Sequence, residues 1–243
     1  MLFRSENNDG DFTDANEMHV TTKWAHGELG DPARMPLCTA AEVAALNAQN
    51  RALVNHPLAD DLAFFDAMVS FLQQNYVVDP KAIYVSGFSN GAQMSNRLAV
   101  DRSAVYAATA GHAGGLSVPT IASRAISAVV SLGTLDDRVT TPLGIAEIPL
   151  GESTLVQYPL IPVFFIQPML TQLRLTQAYT YDEPTINGKR TSRWTFRTST
   201  VGASNSLSFT LVDDNLHQYP NGSNHPMVMA NVLWTFFKTQ RLP

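Results

Sequence analysis

A single cysteine, Cys38, excludes an internal disulfide in this chain, so redox chemistry does not fix its compartment. No apolar run approaches the ~18 residues of a membrane-spanning helix. The opening Met1-Leu2-Phe3-Arg4-Ser5 lacks the apolar centre of a signal peptide, which leaves the location unknown. Charge is also scarce. Only 15% of residues are charged and the net charge is −5, which gives no reason to expect nucleic acid or an acidic membrane surface as partner. Repeats are absent, and the His, Asp and Glu residues show no metal-ligand spacing, so neither metal nor cofactor is expected. What is present is a globular profile: 243 residues, 45% of them hydrophobic, enough for one α/β domain with a full core over 1–243.

Residues 82–100 organise the chain. A short β-branched and aromatic run, Ala-Ile-Tyr-Val-Ser, suits a buried strand. Gly87-Phe88-Ser89-Asn90-Gly91 follows, and then a helix-forming run. A strand that becomes a helix within so few residues needs a sharp turn, with its middle residue in an unusual backbone conformation. Small residues two before and two after let the helix pack close to the strand. That geometry exposes the Ser89 hydroxyl beside a helix N-terminus. The alternative is an ordinary Gly-rich turn, which would need no acid or histidine later in the chain.

Residues 1–58 form an atypical N-terminal segment. Within it, 7–16 is polar and acidic, 19–24 alternates weakly as a strand would, 30–36 is turn-rich and 40–53 has helical spacing. Residues 60–76 read as an amphipathic helix capped by Asp60 or Asp61, with Leu62, Phe65, Val69 and Leu72 on one stripe. Short apolar runs at 105–110, 126–132 and 207–212 read as strands, as does 190–198. Residues 226–238 form a closing helix expected to bury Val228, Val232, Leu233 and Phe236. Residues 142–185, rich in Pro, Gly and aromatics, read as an insertion over the active site. Strands alternating with helices predict a mostly parallel α/β sheet flanked by helices, with ligands beyond the carboxyl ends of its strands.

Ser89, Asp136 and His217 each follow directly after a predicted strand, so they should gather on one edge. A serine hydroxyl is a weak nucleophile. It needs an imidazole to take its proton and a carboxylate to hold that imidazole in one tautomer. Ser, Asp, His is the chain order of α/β-hydrolases. Asp137 is a rival acid that should point elsewhere, since neighbours in a turn rarely share a direction. His225, before Pro226, reads as the start of the last helix. His112 either lines the pocket or is a hydrogen-bonded structural histidine, and His19, His26 and His56 lie in the N-terminal part. Asp213 and Asp214 read as solvated turn residues.

Gly87-Phe88-Ser89-Asn90-Gly91-Ala92-Gln93-Met94, preceded by Val78-Asp79-Pro80 and Ile83-Tyr84-Val85, resembles the polyhydroxybutyrate depolymerase and feruloyl esterase group of α/β-hydrolases. Asp60-Asp61-Leu62-Ala63-Phe64 resembles that group's helix before the nucleophile. Gly133-Thr134-Leu135-Asp136 is similar to its acid loop, with Leu132 where a histidine usually stands. Leu216-His217-Gln218-Tyr219-Pro220-Asn221-Gly222 is similar to its base loop, with Tyr219 replacing Trp. Residues 232–237 look like its closing helix. The resemblance spans roughly residues 58–243. It implies a cofactor-independent serine esterase acting on polyester, aryl or short-chain esters through an acyl-enzyme.

On that basis Asn90 supplies one backbone N–H to the oxyanion hole. Phe88, Tyr219 and Trp194 either form an aromatic platform for the acyl or aryl group or are plain core packing. The resemblance also implies front strands and a His-Gly loop giving the second oxyanion donor. His26-Gly27 is the only such pair, and the residues before it are too polar for a central strand. The expectation is therefore a sheet shortened at its N-terminal side, with an exposed edge. Either N-terminal residues supply a substitute strand there, or two chains pair through it. The alternative function is a truncated hydrolase-fold binding module with weak or no catalysis. A peptidase or dienelactone-type hydrolase is a third possibility, since fold alone does not choose among these.

Overall fold

The structure is a computed structural model that describes residues 2–5, 19–22, 24, 44, 47, 48, 51, 52, 59–116, 118 and 120–243. The chain forms two compact units, Met1–Asn75 and Tyr76–Pro243.

In the first unit, β1 (Leu2–Ser5) and β2 (His19–Thr22) pair antiparallel as a two-stranded sheet. Helix α1 (Asp61–Asn75) is capped as its sequence predicts, with Asp60 Oδ1 accepting from the Ala63 N–H at 3.0 Å. Leu62, Phe65 and Val69 of the expected stripe are half-buried, and Trp24 stacks near Phe65 with ring centroids 5.1 Å apart. Leu72 departs from the stripe and is exposed, as are Phe64, Met68 and Phe71. The Trp24 ring lies against both Phe64 and Phe65 of α1. Residues 44, 48, 51 and 52 are helical, inside the helix expected at 40–53. Asn47, also within it, is described and is not helical; the other residues of that helix, the stretches 7–16 and 30–36, and the His26-Gly27 pair lie outside the described residues.

The second unit holds a mixed seven-stranded sheet flanked by helices. Its strands are β3 (Tyr84–Phe88), β4 (Ala108–His112), β5 (Ser127–Gly133), β6 (Tyr179–Asp182), β7 (Thr185–Ile186), β8 (Lys189–Arg197) and β9 (Ser206–Val212). The order is β3-β4-β5-β9-β8-β6, with β7 also paired to β8. The first four run parallel, while β8 is antiparallel to β9, β6 and β7. This corrects the expectation of a mostly parallel sheet. A parallel neighbour needs a crossover of a dozen residues or more, and the connections here are far too short for one. Asn187 and Gly188, both at positive φ, close β7 onto β8 as a two-residue hairpin turn. That Asn-Gly pair is a strand-reversal signal, and within 142–185 the strand β6 and the start of β7 pair with β8. The remainder of 142–185 forms three short helices, α4 (Thr154–Gln157), α5 (Leu160–Phe165) and α6 (Gln167–Gln172).

β4 lies between β3 and β5 and is buried throughout. By contrast β3 is half-buried, not the buried strand its sequence suggests. Among the described residues it pairs only with β4 and is the sheet's edge. The two described N-terminal strands pair with each other, so neither supplies the substitute strand. The closing helix α7 (Met229–Phe237) buries Met229, Leu233 and Phe237, four residues apart. Val228, Val232 and Phe236 are only half-buried, which shifts the expected stripe by one residue. Phe237 stacks on Tyr84 with centroids 4.8 Å apart, while Met229 and Leu233 join Ala108, Ala110 and Val212. That contact line sets the rotation of the helix.

Candidate active site

Ser89 joins β3 to α2 (Asn90–Asp101) with φ 53° and ψ −121°, a conformation that costs a non-glycine residue roughly 1–3 kcal/mol. The surroundings hold it there. The Ser89 N–H donates to the His112 carbonyl at 2.9 Å, and the Ala92 and Gln93 N–H groups donate to the Ser89 carbonyl at 2.9 and 3.1 Å. A Cβ at position 87 would overlap the Gly91 carbonyl and the Ala92 nitrogen, so only glycine fits. Position 91 is different: a Cβ there meets nothing within 4 Å, so the close strand–helix approach depends on Gly87. Gly111 and Gly114 make room on the other side, where a Cβ would come within 2.9 and 2.7 Å of Ala92 Cβ.

Asp136 lies beyond the end of β5 and is 1% exposed. It caps α3 (Asp137–Leu143), with its Oδ1 accepting from the Arg138 N–H at 3.0 Å. Asp137 points to solvent, as expected of the rival acid. The acid and base loops are bound to one another. The Thr134 N–H donates to Val212 O, the Leu135 N–H to Asn215 O, and the Asp214 N–H to Thr134 Oγ1, each at 3.0 Å. Gly133 lies so close to the Asn215 carbonyl that no side chain fits between them.

His217 follows β9, and these loops bring three distant residues together. Its Nδ1 lies 2.9 Å from Asp136 Oδ2 and 3.0 Å from Oδ1, and its Nε2 lies 3.0 Å from Ser89 Oγ. With Nδ1–H donating to the carboxylate, Nε2 is the acceptor for the serine hydroxyl. The carboxyl ends of β3, β5 and β9 face one way because those strands are parallel, so all three side chains meet at one edge. Chemically, the set can take a proton from Ser89 and return it to a leaving group.

The other expected residues divide. Asn90 opens α2 directly after Ser89. Phe88 lies beside the imidazole of His217, centroids 5.0 Å apart. Tyr219 is half-buried and meets the His112 ring edge-on at 6.3 Å; burial pushes its hydroxyl pKa up. Trp194 is not at the site. It is fully buried in β8 against Phe209 and Tyr181, because the mixed sheet turns that face of β8 into the core. Of the two readings for Trp194, aromatic platform or core packing, its burial matches the second.

His225 is buried, donating from Nε2 to Asp213 O at 2.9 Å and accepting the Met227 N–H at Nδ1. The side chain of His19 and the whole of His26 and His56 lie outside what is described. Asp213 and Asp214 are not merely solvated: they pair with Arg190 at 3.2 Å and Lys189 at 2.6 Å. Two of the acidic group Glu147, Asp213 and Asp214 are thus balanced by cations. His112 is buried and hydrogen-bonded, not exposed in a pocket. Asn215, which holds the base loop, was not visible in the sequence, where an Asn in a turn is unremarkable. No protein-family model matches this chain, and no curated protein matches it either.

Proposed function

We propose that this protein is a serine esterase of α/β-hydrolase type that cleaves carboxylic esters through an acyl-enzyme. The observation that carries the proposal is the continuous line from Ser89 Oγ through His217 to Asp136, with links of 3.0 and 2.9 Å. Ser89 attacks the ester carbonyl while His217 Nε2 accepts its proton. His217 then gives that proton to the leaving alcohol, and Asp136 holds the ring in the Nδ1–H tautomer. The Asn90 backbone N–H, at the start of α2, donates to the tetrahedral oxyanion. Water activated by His217 releases the acid and restores Ser89.

The substrate class rests on the motif resemblance: polyesters such as polyhydroxyalkanoates, or aryl and short-chain esters. Phe88 and Tyr219 supply aromatic surface beside the imidazole and its loop. The free side of β3 among the described residues supports pairing with a second copy, which light scattering on the eluted protein distinguishes from a monomer. No helix among the described residues is long and apolar enough to cross a membrane.

One observation favours a second reading, a hydrolase-fold binding module without turnover: no described strand lies beyond β3, where the resembled family places a second oxyanion donor. A fluorophosphonate probe separates the two. Stoichiometric labelling of Ser89 with turnover of p-nitrophenyl esters supports the esterase; no labelling of folded protein supports the binding module. A panel of feruloyl esters, short-chain esters, polyester films and peptides then sets the substrate class.

A further inference from the structure

Behind the triad runs a second polar line, fully buried. His112 ends β4 and has no exposed surface. Its Nδ1 is 2.8 Å from Ser131 Oγ on β5, and its Nε2 is 2.9 Å from Asn215 Nδ2. The same Nδ2 lies 3.0 Å from Leu216 O and 3.2 Å from Gln218 O, the carbonyls on either side of His217. Two carbonyls facing one atom require that atom to be the amide nitrogen, a donor. An amide nitrogen facing Nε2 suits Nε2 as an acceptor, sharing the two amide protons with the carbonyls, and this places the ring proton on Nδ1, donated to Ser131 Oγ. The Asn215 amide oxygen has no hydrogen-bond partner among the described residues, so within them this side chain acts as a donor only. Meanwhile the Asn215 backbone carbonyl accepts from the Leu135 N–H, next to the acid Asp136. One buried asparagine thus touches both neighbours of the base and one neighbour of the acid.

We propose that His112 is a positioning residue that, through Asn215, fixes the base loop so that His217 reaches Ser89 and Asp136 together. Its catalytic consequence rests on the serine-esterase reading; the positioning itself does not. Phe88 continues the link, since its ring stacks on His112 on one side and lies against His217 on the other. The groups facing His112 act in different directions. Burial is the largest influence and holds its pKa down at about 4; Asp136 and the Gln218 carbonyl, which would accept from the protonated ring, oppose this, while His217 and His225 reinforce it. Tyr219 meets the ring edge-on. A proton on Nε2 would set two donors face to face and break the bond to Asn215, so the lock holds at neutral pH.

The test compares His112→Phe, His112→Gln and Asn215→Ala with the unaltered protein. Gln keeps an acceptor near the Nε2 position and Phe does not. The first readout is the NMR resonance of the Nδ1 proton that His217 donates to Asp136, whose position reports on that bond and needs no turnover. In His112→Phe and Asn215→Ala it moves upfield or is lost to exchange with water, because a loosened pair no longer holds that proton. It returns toward the starting position in His112→Gln. In parallel, kcat for p-nitrophenyl acetate falls roughly 10- to 100-fold with KM little changed, the cost of a misplaced base. An Nδ1-proton resonance and a kcat both unchanged in folded variants overturn the proposal. The unaltered protein supplies a check that no folding defect can remove: nitrogen shifts must show His112 as the neutral Nδ1–H tautomer at pH 6. An Nε2–H tautomer or an imidazolium there overturns the proposal. Absent turnover in the unaltered protein with the His217 shift still present would count against the esterase reading alone.

Discussion

At the scale of single residues, Ser89 sits in a conformation that only its surroundings enforce. Its φ of 53° is sustained by the backbone bond to His112 and by the bare Cα of Gly87. Ser89→Ala should leave the fold and circular dichroism unchanged and abolish p-nitrophenyl ester hydrolysis; surviving activity would remove the mechanism. Asp136→Asn keeps the shape but favours the wrong imidazole tautomer, so kcat should fall by about 10⁴. Stopped assays at saturating substrate measure it. Gly87→Ala should lose activity and stability together, because the added carbon meets backbone of the next helix, which has no rotamer to yield. These residues were legible in the sequence because short-range chemistry dictates them. Trp194 was not, since an isolated aromatic carries no sign of whether the sheet turns it inward.

Elements add what no residue shows alone. The acid and base loops interlock through Gly133 and Asn215, which is why two segments some eighty residues apart hold a 2.9 Å bond. Gly133→Ala should drive those loops apart and lower kcat far more than the melting temperature, as paired kinetics and thermal melts would reveal. Along α7, the buried line is Met229, Leu233 and Phe237. Leu233→Ala should cost about 2–5 kcal/mol in urea unfolding, and the half-buried Val232→Ala clearly less. Equal losses would put the helix in the rotation its periodicity suggests instead. The sequence shows an apolar stripe of some kind, but two adjacent stripes both read as hydrophobic. Contact with Tyr84 and the β4 alanines selects one.

At the scale of the whole molecule, pH acts through the buried histidine. In the folded state burial keeps His112 neutral down to about pH 4, whereas the unfolded chain takes up that proton near 6.5. The unfolded state therefore binds more protons between those values. Stability is full above about pH 6.5 and falls toward pH 4, by up to ~1.4 kcal/mol per pH unit from this group, with no further loss below. Urea midpoints at pH 7.5 and 4.5 should show the fall, and His112→Gln should reduce it; an equal fall in both would assign the loss to other groups.

By itself, the sequence determined the local grammar: the strand–serine–helix turn, the acid and the base after later strands, and the chain order that aligns them. Those features depend on near neighbours, so neighbouring residues reveal them. Only the tertiary structure decided that β8 runs against β9, β6 and β7, that β3 is half-buried at an edge, and that Trp194 belongs to the core. It alone joined His112 to Asn215, because a hydrogen bond across 103 residues leaves no trace in spacing. Pairing direction and burial are set by which strands meet, and that choice belongs to the folded chain as a whole.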